Sequence, residues 1–166
     1  MARKKLRLNK LGQEISEDWI KRHPNEPVFD SKLEVSFYNR AIKNGLSIIR
    51  NTESFVLQES FSIKALSNSS KNLVINSTVR KISYTPDFVI KVGSFNIYIE
   101  TKGFFDESDR LRYKMFQYRI DPKKEMVFIV FNEKHMGRLF TYIKNNFLWE
   151  PQTVNYGMST SLKNLI

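Results

Sequence analysis

The chain has 166 residues, of which 41% are hydrophobic and 27% charged, a length and balance typical of one globular domain rather than a disordered or fibrous chain. Its 27 Lys and Arg residues outnumber its 17 Asp and Glu residues, and a pI near 9.8 indicates a polyanionic partner such as nucleic acid or an acidic membrane face. The lack of cysteine excludes disulfides and cysteine nucleophiles, and the lack of a long apolar run excludes a membrane-spanning helix, so we expect a cytoplasmic protein.

The first 28 residues are polar and basic, which is typical of an N-terminal arm with a short helix over about residues 14–22. The cations at the start of this arm are candidate DNA contacts, although a solvated tail explains them equally well: Arg3, Lys4 and Lys5. We expect residues 29–147 to form the folded domain. Residues 148–166 show no clear period and are expected to be a C-terminal extension.

A helix is predicted over about residues 32–44, because apolar residues recur there at helical spacing between Ser31 and Gly45. Glu34 stands three residues after Ser31, which is the spacing of a capping box. Alternating apolar and polar residues then predict strands over about residues 48–64 and 73–82, with the turn-rich residues 67–70 between them.

The clearest local signal is a β-hairpin, in which residues 84–92 and 95–102 flank a two-residue turn at Gly93-Ser94. This turn makes Val92 face Phe95 and so fixes the register of the whole hairpin. One face is then apolar, with Phe88, Ile90, Val92, Phe95, Ile97 and Ile99. The other face places Asp87 opposite Glu100, with Lys102 two residues further along.

A helix to about residue 118 is predicted after the capping residues 106–109, followed by a strand over 126–131 and a helix over 134–146. The first of these helices carries Arg110, Arg112 and Lys114, which either line a channel for phosphates or simply make an exposed face soluble. The sequence leaves these two interpretations equally open. Most of the aromatic residues occur at alternating or helical spacing, which is typical of residues in the hydrophobic core.

Two carboxylates directly opposite each other repel, unless a proton or a cation lies between them. A divalent metal suits this pair, because Mg²⁺ binds a few carboxylate oxygens and bridges to phosphate. Lys102 beside it would orient or deprotonate a water, or stabilise charge on the phosphate. The alternative is that Lys102 only neutralises an exposed acidic pair.

The residues around this pair resemble the PD-(D/E)xK nuclease signature, with Tyr84-Thr85-Pro86-Asp87-Phe88 followed by Ile99-Glu100-Thr101-Lys102-Gly103. The stretch Phe29-Asp30-Ser31-Lys32-Leu33-Glu34 is similar to a helix start in the bacteriophage endonuclease I family of Holliday-junction resolvases. The resemblance extends over about residues 29–131. It implies an α/β fold with a restriction-endonuclease-like core, in which helices flank a mixed central sheet.

The resemblance also implies a site and an activity. Asp87 and Glu100 would bind Mg²⁺ or Mn²⁺, Thr101 would add its backbone carbonyl, Glu34 would complete the site and Lys102 would assist the attacking water. Such proteins act as intertwined homodimers on branched DNA, here in a bacterial host cytoplasm if the chain is phage-encoded. For Glu34 the cap remains a competing role, and Glu53 and Glu59 are alternative third ligands.

The sequence is therefore compatible with three functions. The first is a Mg²⁺-dependent, structure-selective DNA endonuclease that resolves four-way junctions. The second is a nuclease of the same chemistry that acts on duplex DNA, of the transposon-end or phage-packaging type. The third is a non-catalytic DNA-binding or virion protein with the same fold, which the opposed carboxylates disfavour because they repel phosphate.

Overall fold

A computed structural model describes residues 6–66 and 74–147 of the chain. The helices are α1 (Glu17–Arg22), α2 (Lys32–Lys43), α3 (Glu107–Arg119) and α4 (Glu133–Asn146). The strands are β1 (Ser47–Arg50), β2 (Phe55–Gln58), β3 (Phe61–Leu66), β4 (Val74–Val79), β5 (Ile82–Tyr84), β6 (Phe88–Val92), β7 (Phe95–Thr101) and β8 (Glu125–Val130). None of the helices within these ranges is long and apolar enough to cross a membrane.

The centre of the fold is a four-stranded mixed sheet with the order β1-β6-β7-β8. Strands β1, β6 and β7 are antiparallel neighbours, whereas β8 is parallel to β7 and is reached through α3. The parallel pairing requires such a crossover, because two parallel strands cannot be joined by a tight turn. The predicted mixed sheet flanked by helices is therefore confirmed.

The predicted hairpin register is confirmed, with Val92 opposite Phe95 and Phe88 opposite Ile99. Gly93 has a φ of 58°, a conformation that glycine adopts without the steric cost of a Cβ atom. The ladder begins at Phe88 rather than at residue 84, so the predicted first strand is shorter than expected. Pro86 lies between the end of β5 at Tyr84 and the start of β6 at Phe88, and it has no backbone N–H to donate to a strand partner. The residues before it form β5, which pairs with β2.

Two apolar clusters cover the two faces of the sheet. The face predicted to be apolar packs against α2 and α4, through residues such as Phe37, Phe88 and Phe140. The opposite face packs against α3 and the β2–β5 pair, with Tyr98 and Phe116 at its centre. A side chain at a strand end of this sheet is thus held from both sides.

The predicted strand over residues 48–64 is divided into three. β1 joins the central sheet, β2 pairs with β5, and β3 pairs with β4 as a separate two-stranded ribbon. Gln58 faces Ile82 and Phe61 faces Val79, so the ladder resumes in the same register across the break between β2 and β3. The division at residue 51 accompanies a local turn, in which the Glu53 amide donates to the Asn51 side chain.

The segment predicted to be an N-terminal arm is attached to the domain. Leu8 is 2% exposed and joins the core, and its backbone exchanges hydrogen bonds of 2.8 and 2.9 Å with Phe29. The predicted helix in this segment is α1, which begins three residues later than expected, with Ser16 as its cap. The predicted contacts Arg3, Lys4 and Lys5, the turn at 67–70 and the extension over 148–166 lie outside the described residues.

Candidate active site

The two predicted acids lie at neighbouring strand ends of the central sheet. Asp87 directly precedes β6, and Glu100 is the penultimate residue of β7. One Asp87 oxygen, Oδ2, accepts hydrogen bonds from the Thr101 backbone N–H and from the Thr101 hydroxyl, both at 2.7 Å. These two bonds fix the Asp87 carboxylate against the end of β7.

Glu100 is 5% exposed and uses both of its oxygens. The Tyr84 hydroxyl donates to Oε2 at 3.1 Å, and the Lys102 ammonium lies 3.2 Å from Oε1. The hairpin alternation explains this arrangement, because Glu100 and Lys102 point to the same side of the strand. The predicted proximity of Glu100 to Lys102 is therefore confirmed.

Burial and the negative charge of a neighbouring acid disfavour the charged forms of both Asp87 and Glu100. The pKa of Glu100 is raised to about 7, by burial first and then by the negative charge of Asp87. The pKa of Asp87 is also raised, because burial and the charge of Glu34 outweigh the Thr101 hydrogen bonds and the nearby Arg50. The site therefore holds more negative charge than its surroundings favour.

Lys102 connects this pair of acids to α3. Its ammonium lies 3.7 Å from Oδ2 of Asp109, in the first turn of that helix, as well as 3.2 Å from Glu100. Burial alone would lower the pKa of Lys102, but the neighbouring acids, Glu100 first, raise it overall. The side chain is thus held as a cation beside the two carboxylates.

Glu34 is buried in the first turn of α2, where Ser31 is the N-cap residue. Its backbone N–H donates to the Ser31 hydroxyl at 3.1 Å, and its carboxylate accepts from the Ser31 hydroxyl and from the Asp30 N–H, each at 3.0 Å. The same carboxylate forms an ion pair with Arg50 at the end of β1. The predicted Ser31 cap is confirmed, whereas the carboxylate of Glu34 bonds back to the N–H of Asp30, one residue before the N-cap amide of the predicted capping box. The charge of Glu34 also reaches Asp87.

The donor set fits a divalent cation at Asp87 and Glu100, because two repelling carboxylates at one strand edge are ligands that Mg²⁺ prefers and a cation between them would relieve the repulsion. The fit is incomplete at Glu34, whose carboxylate is bonded to Arg50. Throughout residues 6–66 and 74–147, no three acidic or histidine side chains already converge as a metal-binding group. Glu34 would have to exchange Arg50 for the cation to become a third ligand.

The remaining predicted site residues lie around this centre. Arg110, Arg112 and Lys114 are exposed on α3, and Arg112 lies 3.9 Å from Asp109. Glu53 and Glu59, the alternative ligands, are both exposed. The structure thus places the three cations on the helix that Lys102 contacts.

Three residues near the acids were not given a role in the site from the sequence: Arg50, Tyr84 and Asp109. Arg50 pairs with Glu34 and Asp30 and lies over the rings of Phe29 and Phe88, at 5.6 and 5.9 Å from their centroids. No local pattern marks this residue, because its partners are distant in sequence. Tyr84 belongs to the same sequence motif as Pro86 and Asp87, so its position near the site was predictable. Nothing in the spacing of the motif shows that its hydroxyl reaches Glu100.

Comparison with known proteins gives one match. The profile of a family described as Protein of unknown function (DUF1064) matches residues 21–137, a stretch that includes both acids, Lys102 and all of α3. Neither a curated protein nor a solved structure matches the chain. Since the matched residues make up more than half of its length, the chain belongs to the DUF1064 family.

Proposed function

We propose that the protein is a metal-dependent endodeoxyribonuclease with a PD-(D/E)xK core. The observation that carries the proposal is the grouping of Asp87, Glu100 and Lys102 at the ends of two paired strands. A structural ion pair between Lys102 and the buried Glu100 would not need the partly buried Asp87 beside it, because each added desolvated charge costs free energy. Perturbed acids grouped with a cation are typical of functional sites.

In this mechanism Asp87 and Glu100 would hold Mg²⁺ or Mn²⁺, and the Thr101 carbonyl would be a further oxygen ligand. The cation, when bound, would polarise the scissile phosphate and lower the pKa of the attacking water. Lys102, held as a cation by Glu100 and Asp109, orients that water and stabilises negative charge on the phosphate. Tyr84 fixes the Glu100 carboxylate by its hydrogen bond.

The proposed substrate is branched DNA, in particular the four-way junction. A net charge of +10 favours binding to phosphates, and a junction is recognised by the positions of its phosphates rather than by base edges. A homodimer would supply two equivalent sites for the two symmetric strands of a junction. Linear duplex is the alternative substrate for the same chemistry.

The test is cleavage of equal amounts of four-way junction, linear duplex and single strand in the presence of Mg²⁺. We expect paired nicks in the junction by a protein that sediments as a dimer. Preferential cutting of linear duplex would support the alternative nuclease, and binding without any cleavage would support the non-catalytic DNA-binding protein.

Two variants assign the cleavage to the proposed site. Asp87→Asn should abolish cleavage because it removes a proposed ligand, yet its remaining oxygen can still accept from Thr101, so the fold is retained. Lys102→Ala should lower the single-turnover rate at saturating DNA, with a small effect on affinity. The matched controls are Asp18→Asn and Lys91→Ala, which change the same charges at exposed positions away from the site. Full turnover by Asp87→Asn would refute the proposed site.

A further inference from the structure

A groove begins where the proposed active site ends. It has a volume of about 560 Å³ and is lined by the residues that follow Lys102, by one side of α3 and by the end of β8. Gly103, the neighbour of Lys102, is at its rim, and so is Arg110, the neighbour of the Asp109 that contacts Lys102. We call it the α3 groove. A ligand in it would contact the residue that follows Lys102 in the chain.

The lining of the α3 groove combines aromatic rings with cations. Phe104, Phe105, Tyr113 and Phe131 supply the rings, and Arg110 and Lys114 supply the positive charge. Among the described residues, no acidic side chain lines it. The two cations are four residues apart on one helix and therefore share a face. Such a lining suits a flat, apolar ring attached to a phosphate, which is the chemistry of a nucleotide.

Phe104 differs from the other rings because 81% of it is exposed. Phe105, by comparison, packs edge-on against Tyr113 and Phe131, with centroid distances of 5.9 and 6.1 Å. Packing within the domain therefore explains Phe105 but leaves Phe104 available to a ligand. A large exposed ring beside two exposed cations is typical of a binding surface.

We propose that the α3 groove binds one unpaired nucleotide of the DNA, with its base stacked on Phe104 and its phosphates at Arg110 and Lys114. This inference rests on the proposed nuclease function and specifies its substrate. Paired bases inside a duplex already stack on their neighbours, so only a base at a branch point, a flap or a gap presents a free face to Phe104. Among branched DNAs, the groove would therefore favour those that have an unpaired nucleotide next to the cleavage position.

The test measures binding without cleavage, with fluorescein-labelled DNA and the full chain in EDTA, by fluorescence anisotropy. Three DNAs are compared: a duplex with a short thymine flap, the same duplex with an abasic flap, and the fully paired duplex. The abasic flap keeps the phosphates and lacks only the bases. We expect Phe104→Ala to weaken binding of the thymine flap by roughly tenfold and to leave the other two DNAs unaffected.

The matched control is Tyr118→Ala, which removes another exposed aromatic side chain, 94% exposed, from the same helix but outside the α3 groove. It should bind all three DNAs like the unaltered protein. Arg110→Gln should weaken binding of both flaps, because the phosphates remain in the abasic flap. Since Phe104 is exposed, its truncation does not threaten folding.

Equal binding of the thymine flap by Phe104→Ala and the unaltered protein would overturn the proposal, as would an equal loss on the abasic flap. Either result together with normal Mg²⁺-dependent cleavage by the unaltered protein would leave the nuclease function standing. Conversely, the expected Phe104 effect together with unchanged cleavage by Asp87→Asn would refute the nuclease site and keep the α3 groove. Failure to bind any of the DNAs would overturn the groove proposal, and only a lack of Mg²⁺-dependent cleavage as well would overturn the nuclease function.

Discussion

The Glu100 carboxyl lies in a buried position beside a second acid, so its ionisation opposes folding when no metal is bound. Its pKa in the folded chain, about 7, is above the ordinary value of 4.5. A group whose pKa rises on folding stabilises the fold at low pH, and this contribution is lost as the pH rises through the folded-state pKa. The ionised form of Glu100, which the proposed chemistry needs, therefore lowers the free energy of unfolding of the metal-free protein at neutral pH.

Glu100→Gln should remove this pH dependence, because glutamine does not ionise. In EDTA, we expect the free energy of unfolding of the unaltered protein to fall relative to that of Glu100→Gln between pH 5 and pH 8, by about 1–3 kcal/mol. Urea denaturation of both proteins at the two pH values measures the difference. If the difference in free energy of unfolding between the two proteins is the same at pH 5 and pH 8, the pKa of Glu100 is the same in the folded and the unfolded chain. The variant should have no cleavage activity.

Substitutions at Glu34 separate its role as a cap from its proposed role as a metal ligand. Ser31→Ala should cost about 1 kcal/mol, the usual value of a helix cap. Glu34→Ala should cost more, because it also leaves the partly buried Arg50 with only the 3.5 Å contact to Asp30 among the ion pairs described for it. Thermal melting of both variants measures these costs.

Glu34→Gln is the informative variant for function, since glutamine can still accept the capping bonds. If Glu34 is a ligand, this variant should lose most of its cleavage activity while its melting temperature changes little. Near-normal cleavage would leave Glu34 as a cap and as the partner of Arg50.

At the scale of elements, the β6–β7 hairpin depends on the backbone conformation of Gly93. A Cβ added there would meet no atom within 4 Å, so only the φ of 58° opposes a larger residue. We expect Gly93→Ala to lower the free energy of unfolding by about 1–2 kcal/mol and Gly93→Asn to lower it less, since asparagine tolerates this conformation. Gly103→Ala is the control, because a Cβ added at Gly103 also meets no atom within 4 Å, but the backbone there does not have a positive φ. Urea denaturation compares the three, and equal effects of Gly93→Ala and Gly103→Ala would contradict the argument.

The hairpin was predictable because its register depends on local information, a two-residue turn and an alternating apolar face. The proximity of Glu100 to Lys102 was predictable for a similar reason, because side chains two positions apart on an extended chain point to the same side. The contacts made by Leu8 and Arg50 were not predictable in this way, because each depends on residues that are more than fifteen positions away and no turn fixes the distance. Similarly, alternation predicts the strands around β2 and β3 but does not say which sheet each one joins.

At the scale of the whole molecule, the net charge of +10 should dominate DNA affinity. Each phosphate contact releases counterions, so we expect the affinity for a four-way junction to fall steeply between about 50 and 200 mM salt. The ratio of junction to duplex affinity should change much less, because it depends on geometry rather than on the number of contacts. Anisotropy titrations in EDTA at several salt concentrations measure both quantities. A ratio that falls in parallel with the affinity would indicate that the preference is only electrostatic.

The position of β7 has a consequence for local opening of the protein. This strand is hydrogen-bonded to β6 on one side and to β8 on the other, and apolar clusters cover both of its faces. The β3–β4 ribbon is paired only with itself and is exposed along most of its length. In a hydrogen-exchange experiment, the amides of Ile97 and Ile99 should therefore exchange only when the whole domain unfolds, while the ribbon amides exchange orders of magnitude faster through local opening. The strand that carries Glu100 would then keep its geometry while the ribbon opens and closes many times.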